Sequence, residues 1–464
     1  MSLYGTAILL GTLLLMSSGT SRGDTPKTED EGPLFLSPLI KAGKIAEAVE
    51  TSRVRLFEEG YGVKGTHSGY ITVNETYGSH LFFLHVKAQE NSDNLPLVLW
   101  LDGGPGLSSL FGELLSNGPV AIARDGSLYR REHPITSFSN VIYLDEPLGA
   151  GYSFTENDAG YAKSFEDLAA HIHEFLRQFL LLFPEYRGRE FYPAGESYGA
   201  RSAVATGIKF HQSRPDTVQL NFRGVICGAP FIGPLDRQFD STQFLYDVGL
   251  LDRNGREVFA DEMTKLSVAF ASKDPLLFAR EIARVLWVSA NTSRPTLFTK
   301  LTGYQYAGNA LQPVKPAEHV QFRRLVDTQE FKRAIHAGPA TEYRKHDRVL
   351  FVNLVADFFR DISAEVITLL NNYKVLIYVG GLDLIVPATN VESYVRGLNW
   401  SGTGEFNVAP RVAWAVADEG LSGYSTQENR FWFVHFLRSG HYAFFDQGQA
   451  AWSVMRAFVG GTAL

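Results

Sequence analysis

The chain of 464 residues predicts an α/β fold: a mostly parallel central sheet flanked by helices, interrupted by a mainly helical stretch. Three observations predict it. A continuous apolar run of strand length at 375–379, as a strand buried on both faces requires, is joined by strand candidates at 96–101, 222–228 and 431–437. Another apolar run, beginning Phe191-Tyr192, ends in Gly195-Glu196-Ser197-Tyr198-Gly199 and continues into a helix-compatible stretch over 200–211. Between about 233 and 345 the pattern turns helical and mixed, without a parallel-strand run.

In chain order, residues 1–23 carry an apolar run at 7–16 followed by small residues, the pattern of a signal peptide, although its first residues lack Lys or Arg. The run is too short to span a bilayer stably, and no second segment is long and apolar enough. Residues 24–60 read as a polar leader and a short helix covering the core. The stretch 24–232 thus holds the first half of the sheet, 233–345 a mainly helical insertion and 346–464 the return to the strand–helix pattern. Within that insertion, 322–336 is an amphipathic, basic stretch that suits a solvated helix. An apolar content of 45% implies a large packed core, and a formal charge of −7 without a basic tract argues against nucleic acid.

The sole cysteine, Cys227, excludes an intrachain disulfide and reads as a small buried hydrophobe. Sequons at Asn74, Asn291 and Asn399 fit glycosylation in the secretory pathway.

The Gly-x-Ser-x-Gly pattern places Ser197 on a sharp strand-to-helix turn, its hydroxyl pushed clear of the backbone. A serine hydroxyl is a poor nucleophile at neutral pH and needs a base, itself oriented by a carboxylate. In the α/β-hydrolase fold these partners follow the serine in the order acid, then histidine, each on a loop after a strand. Asp383 lies just past the 375–379 run, beyond Gly380-Gly381, and His441 follows the 431–437 run on Ser439-Gly440-His441. His435 lies inside that run and reads as a core or face residue. Asp357 and Asp361 fall in an amphipathic helix and suit its solvated face. The 96–101 strand runs into Asp102-Gly103-Gly104-Pro105-Gly106, whose glycines let backbone N–H groups approach a carbonyl that is gaining negative charge.

Several long stretches, in order, resemble the serine carboxypeptidases: 100–110 around Asp102-Gly103-Gly104, 140–154 around Asp145-Glu146-Pro147, the Gly-Glu-Ser-Tyr elbow, and Gly440-His441 with Asp446-Gln447. The likeness runs from about residue 60 to the end, and 244–252 and 371–378 look closest to the vitellogenic-like branch. The resemblance makes the mainly helical stretch 233–345 an inserted cap. It implies release of C-terminal residues from peptides and proteins through an acyl-enzyme, with no cofactor or metal. Ser197 would attack, His441 carry the proton and Asp383 fix the imidazole, while the N–H groups of Gly104 and Tyr198 hold the oxyanion. Asp102, Gly103 and Glu196 would bind the terminal carboxylate. A secreted or lysosomal destination follows, and the oligomeric state stays open, a homodimer included.

The chain departs from the family pattern where Asp102 replaces an amide. An ionised aspartate repels a carboxylate, and only the protonated acid donates to it. The glutamate usual two residues before the Gly-Pro of the oxyanion segment is here Ser116, so Asp102 is expected to stand in as the partner of Glu196. Burial and like charge raise the pKa of such acids, which confines exopeptidase activity to acidic pH. Arg201 and Ser202, where the family often has glycine and an aromatic or lysine, are expected to alter pocket walls, as is the altered segment 442–448.

Two other functions compete. His171 and Glu174 form a His-x-x-Glu spacing of a metallopeptidase, within a helical stretch where such a pair suits surface or packing. A catalytically impaired relative acting as a binding or protective protein is the second, with an esterase or acyltransferase of the same fold beside it.

Overall fold

The computed structural model describes residues 32–213, 217–286, 295–344, 347–416 and 420–464. The segment 1–23 and Asn291 lie outside them. Ten strands carry the architecture: β1 (Thr66–Asn74), β2 (Ser79–Val86), β3 (Leu97–Leu101), β4 (Asn140–Leu144), β5 (Glu190–Glu196), β6 (Gly224–Gly228), β7 (Lys374–Gly380), β8 (Val412–Val416), β9 (Gly420–Glu428) and β10 (Phe431–Phe436). They order as β1-β2-β4-β3-β5-β6-β7-β10-β9-β8. The six central strands, β4 to β10 in that order, run parallel, and antiparallel pairs close both ends.

Alternation along each strand builds two cores, one per face. Leu97, Leu99 and Leu101 pack with Phe175, Phe179 and Val204 of the helices Phe165–Leu182 and Tyr198–Gln212. Val98 and Trp100 face Leu114, Val454 and Phe458 on the other side. The parallel strands end in register, with Leu101 beside Gly195, Gly228 beside Glu196 and Tyr378, and Gly380 beside Phe436. The loops after β3, β5, β7 and β10 therefore leave from one edge, where open α/β sheets form their sites.

Some expectations need correction. The leader is three short helices, Ser37–Lys41, Ile45–Thr51 and Arg55–Tyr61, of which the first and third are followed by left-handed glycines at Gly43 and Gly62. They cover the β1 edge, with Leu36 N–H donating to Tyr70 O at 2.9 Å and Val54 N–H to Thr66 O at 2.8 Å. The basic stretch is two helices, Ala317–Val326 and Gln329–Ala334, whose Phe322, Val326 and Phe331 are buried in the core.

Asp357 is not solvated. It is buried and paired with the fully buried Arg201, Nε to Oδ2 at 3.0 Å, and Arg201 Nη2 also donates to Asp357 O at 2.5 Å. Arg201 and the buried Ser202 thus lie beneath the site: Arg201 fastens the helix after Ser197 to helix Arg348–Phe358. Asp361 instead bonds Ser363 N–H and hydroxyl at the start of the next helix.

Replacing Arg201 by Ala leaves a buried carboxylate without its cation and is expected to cost about 3–5 kcal/mol in denaturant unfolding. The double replacement Arg201→Met with Asp357→Leu is expected to restore most of that. Equal losses in both would assign the effect to packing alone.

Candidate active site

Ser197 stands between β5 and the helix Tyr198–Gln212 with φ +60° and ψ −123°, a conformation that costs a non-glycine residue about 1–3 kcal/mol. Its neighbours enforce it. A Cβ on Gly195 would lie 2.0 Å from Gly199 O, and one on Gly199 would lie 2.0 Å from Leu101 O. Ser197 N–H donates to Gly228 O at 2.8 Å, and Phe231 N–H to Ser197 O at 3.2 Å, pinning the turn to the chain beyond β6. The loop after β3 reaches the same spot: a Cβ on Gly103 would lie 2.6 Å from Ser197 Cβ and 3.0 Å from its Oγ. Only glycine lets that backbone approach the hydroxyl so closely.

Asp383 follows β7 and His441 follows β10. Asp383 Oδ1 accepts the N–H groups of Ile385 at 2.8 Å and Val386 at 3.1 Å, which leaves Oδ2 to meet His441 Nδ1 at 2.8 Å. Both side chains are buried. A carboxylate only accepts, so Nδ1 carries the proton of this bond and Nε2 is turned away from Asp383. No hydrogen bond joins Ser197 Oγ to His441 among the described residues.

Asp102 and Glu196 adjoin this pair of loops. Asp102 Oδ2 accepts Trp100 Nε1–H at 3.1 Å and Gly112 N–H at 2.9 Å, while Oδ1 is buried without a partner. Burial pushes its pKa up to about 7 against the pull of those two donors. Glu196 Oε1 accepts the Tyr378 hydroxyl at 3.4 Å, and Oε2 has no partner. Burial first, and the charge of Asp102 second, hold Glu196 well above the ordinary carboxylate range. The two acids are coupled through space, and among the described residues no hydrogen bond joins them. Ser116 is buried with its hydroxyl unpartnered.

Three more acids are buried in the interior. Asp145 is raised to about 7, and Glu113 and Glu146 to about 8, all chiefly by burial. Asp145 organises the adjoining loops, accepting Ser108 Oγ–H at 2.6 Å, Ser109 N–H at 2.8 Å and Tyr152 N–H at 2.9 Å. Asp145 and Glu146 lay inside a motif, but nothing in the sequence marked their desolvation. Glu113 had no signal at all.

The other candidates lie apart. Glu174 is held by Arg177 and Gln178, and His171 sits half-buried on the same helix. Among the described residues no group of three or more His, Cys, Asp or Glu is placed to hold a metal ion. Cys227 is buried in β6, its thiol pushed up to about 12 by burial. Asn399 is exposed and Asn74 half-buried at the end of β1.

A serine held at a strained turn, a carboxylate-oriented imidazole and a glycine loop against the hydroxyl form a set suited to acyl transfer. Comparison with known proteins agrees. The family model described as serine carboxypeptidase matches residues 61–461. The human probable serine carboxypeptidase CPVL is 34% identical over 439 residues, covering 94% of this chain and 91% of its own. Vitellogenic carboxypeptidase of Aedes aegypti is 32% identical, covering 93% and 90%. Among solved structures, Kex1(Δ)P, a prohormone-processing carboxypeptidase from Saccharomyces cerevisiae, has a TM-score of 0.70 at 19% identity, covering 85% of this chain and 91% of its own. Its likeness shows the shared α/β-hydrolase fold. With the family model spanning most of the chain and the relatives matched nearly end to end, this protein belongs to the serine carboxypeptidase family and is an enzyme of that class.

Proposed function

We propose that this chain removes C-terminal residues from peptides and proteins through an acyl-enzyme on Ser197, and does so at acidic pH. The observation that carries the proposal is the buried Asp383–His441 bond at the sheet edge where Ser197 is held against Gly103. Ser197 Oγ attacks the scissile carbonyl while His441 Nε2 takes its proton, and the N–H groups of Gly104 and Tyr198 receive the oxyanion. The imidazolium returns the proton to the leaving amine, the terminal residue departs, and water releases the acyl group by the same steps in reverse order. The hydroxyl and imidazole close to hydrogen-bonding distance when substrate binds, as catalytic hydrogen bonds commonly do.

The terminal carboxylate is received by Gly103 N–H and by Asp102 and Glu196 in their protonated forms, through the unpartnered Oδ1 and Oε2. Because the folded pKa of Asp102 is raised to about 7, its neutral donor form persists far above the usual carboxylate range. It is lost as pH rises through about 7, and recognition is lost with it. A sequence with a signal-peptide start and a sequon at the exposed Asn399 supports a secreted or lysosomal, glycosylated product. Among the described residues no helix is long and apolar enough to cross a membrane. The cap assignment of 233–345 rests on a described chain that is helical from Leu235 to Asn372, with no strand beyond the single bridge of Arg344 to Gly151.

Ser197→Ala is expected to lower kcat at least about 10⁴-fold on a blocked dipeptide, and a serine-directed phosphonate is expected to label Ser197 in the native protein only. A protein that folds normally but resists the phosphonate would instead be a binding or protective relative.

A second comparison tests recognition of the chain end. The free dipeptide is expected to surpass its C-terminal amide at pH 5, and kcat/KM on it to collapse by pH 8. Asp102→Asn supplies a donor at every pH, so its alkaline limb is expected to move upward by about one pH unit. Undiminished wild-type activity at pH 8, or superimposable profiles, would contradict the proposal.

Stability should follow the same acids. Groups whose folded pKa is raised stabilise fully below the ordinary carboxylate pKa, and that contribution is lost as pH rises through the folded values of about 7 to 8. The buried His67 and His319, lowered to about 4 and about 3, act in the opposite sense only below their ordinary pKa. Tm is therefore expected to fall between pH 6.5 and 8 in thermal unfolding, and a flat Tm there would count against the buried acids.

A further inference from the structure

The segment 303–316 joins the helix Leu297–Thr302 to the helix Ala317–Val326 and lies across both loops of the acid–base pair. Ala310 N–H donates to Leu382 O at 2.9 Å, next to Asp383, and His441 N–H donates to Gly308 O at 2.6 Å. The fit is close: a Cβ on Gly440 would lie 2.0 Å from Gly308 O and 2.7 Å from Asn309 Cα. Asn309 is buried, and its amide is oriented from both ends. Oδ1 accepts Leu311 N–H at 2.9 Å, so Nδ2 is the atom that donates to Asp446 Oδ2 at 2.9 Å. The same Asp446 oxygen accepts Gly440 N–H at 2.7 Å, one residue before His441.

We propose that Asn309 is a positioning residue for the base: by holding Asp446 it fixes the Gly440–His441 backbone, and with it the direction of the imidazole. The role rests on the reading of His441 as the base.

The electrostatics around Asp446 make the arrangement testable. Burial raises its pKa, the Gly440 and Asn309 donors lower it, the charge of Asp383 raises it and that of His441 lowers it. Glu196 and the half-buried Tyr306 also lie within reach of its charge. Removing the Asn309 donor strips away one of the two hydrogen bonds that favour the carboxylate, so Asp446 protonates at higher pH. A protonated carboxyl holds Gly440 N–H less well, and the His441 loop loosens on the acid side of the profile.

Asn309→Ala is expected to lower kcat about tenfold at pH 5–6 with KM changed less than about twofold, and to shift the acid limb of kcat up by about one pH unit. Asn309→Asp donates only when protonated, so its activity relative to Asn309→Ala is expected to climb as pH falls. Loss of kcat by one constant factor at every pH in both variants would overturn the role, as would wild-type kinetics in Asn309→Ala. Proton NMR supplies a readout that needs no turnover. The downfield His441 Nδ1–H resonance, sharp in the wild type, is expected to broaden or vanish in Asn309→Ala, and an unchanged resonance would overturn the proposal. If the wild type shows no Ser197-dependent turnover, the catalytic reading fails and the NMR comparison alone decides the positioning role.

Discussion

The proposed recognition of a chain end depends on the removal of Asp102 and Glu196 from water. Each carboxyl keeps one oxygen without a partner inside the protein, which is costly for an ionised group and tolerable for a neutral one. Desolvation thus selects the proton-bearing forms, and proton-bearing acids are what a terminal carboxylate needs. The fold supplies that desolvation by placing both acids at the ends of central parallel strands covered on each face. Trp100 and Gly112 then hold one Asp102 oxygen in place and leave the other facing inward.

Mechanical constraints act on the same few atoms. Gly195, Gly199 and Gly103 are positions where any side chain would collide with backbone, or in the last case with Ser197 itself. They let three chain segments meet around a hydroxyl whose own backbone is strained. Arg201 and Asp357 tie the helix behind that hydroxyl to the helix Arg348–Phe358, and the 308–310 segment ties the chain before it to the loops of Asp383 and His441. Ser197, Asp383 and His441 are each anchored to other parts of the chain, so their alignment depends on how those segments seat on the sheet edge.

Much of this was legible in the sequence because it is local. The central strands follow from apolar runs bounded by glycine, and the elbow from its Gly-x-Ser-x-Gly spacing. The positions of Asp383 and His441 follow from strand ends in the right chain order. What the sequence hid depends on contacts between distant residues. Asp357 reads as a solvated helix residue until Arg201, 156 positions away, is placed against it. The stretch 322–336 reads as a solvated helix until Phe322 and Phe331 are found in the core. Asn309 carries no motif, and its value lies wholly in reaching Asp446, 137 residues on. The two donors on Asp102 were hidden likewise, since Gly112 belongs to a helix packed over the loop.

Infrared difference spectroscopy across a pH titration addresses the protonation of Asp102 most directly, with Asp102→Asn as the reference. The account requires a protonated carboxyl band that survives to about pH 7 in the wild type and is missing from the variant. A wild-type protein whose difference spectrum against the variant contains only ionised carboxylate above pH 5 would contradict it.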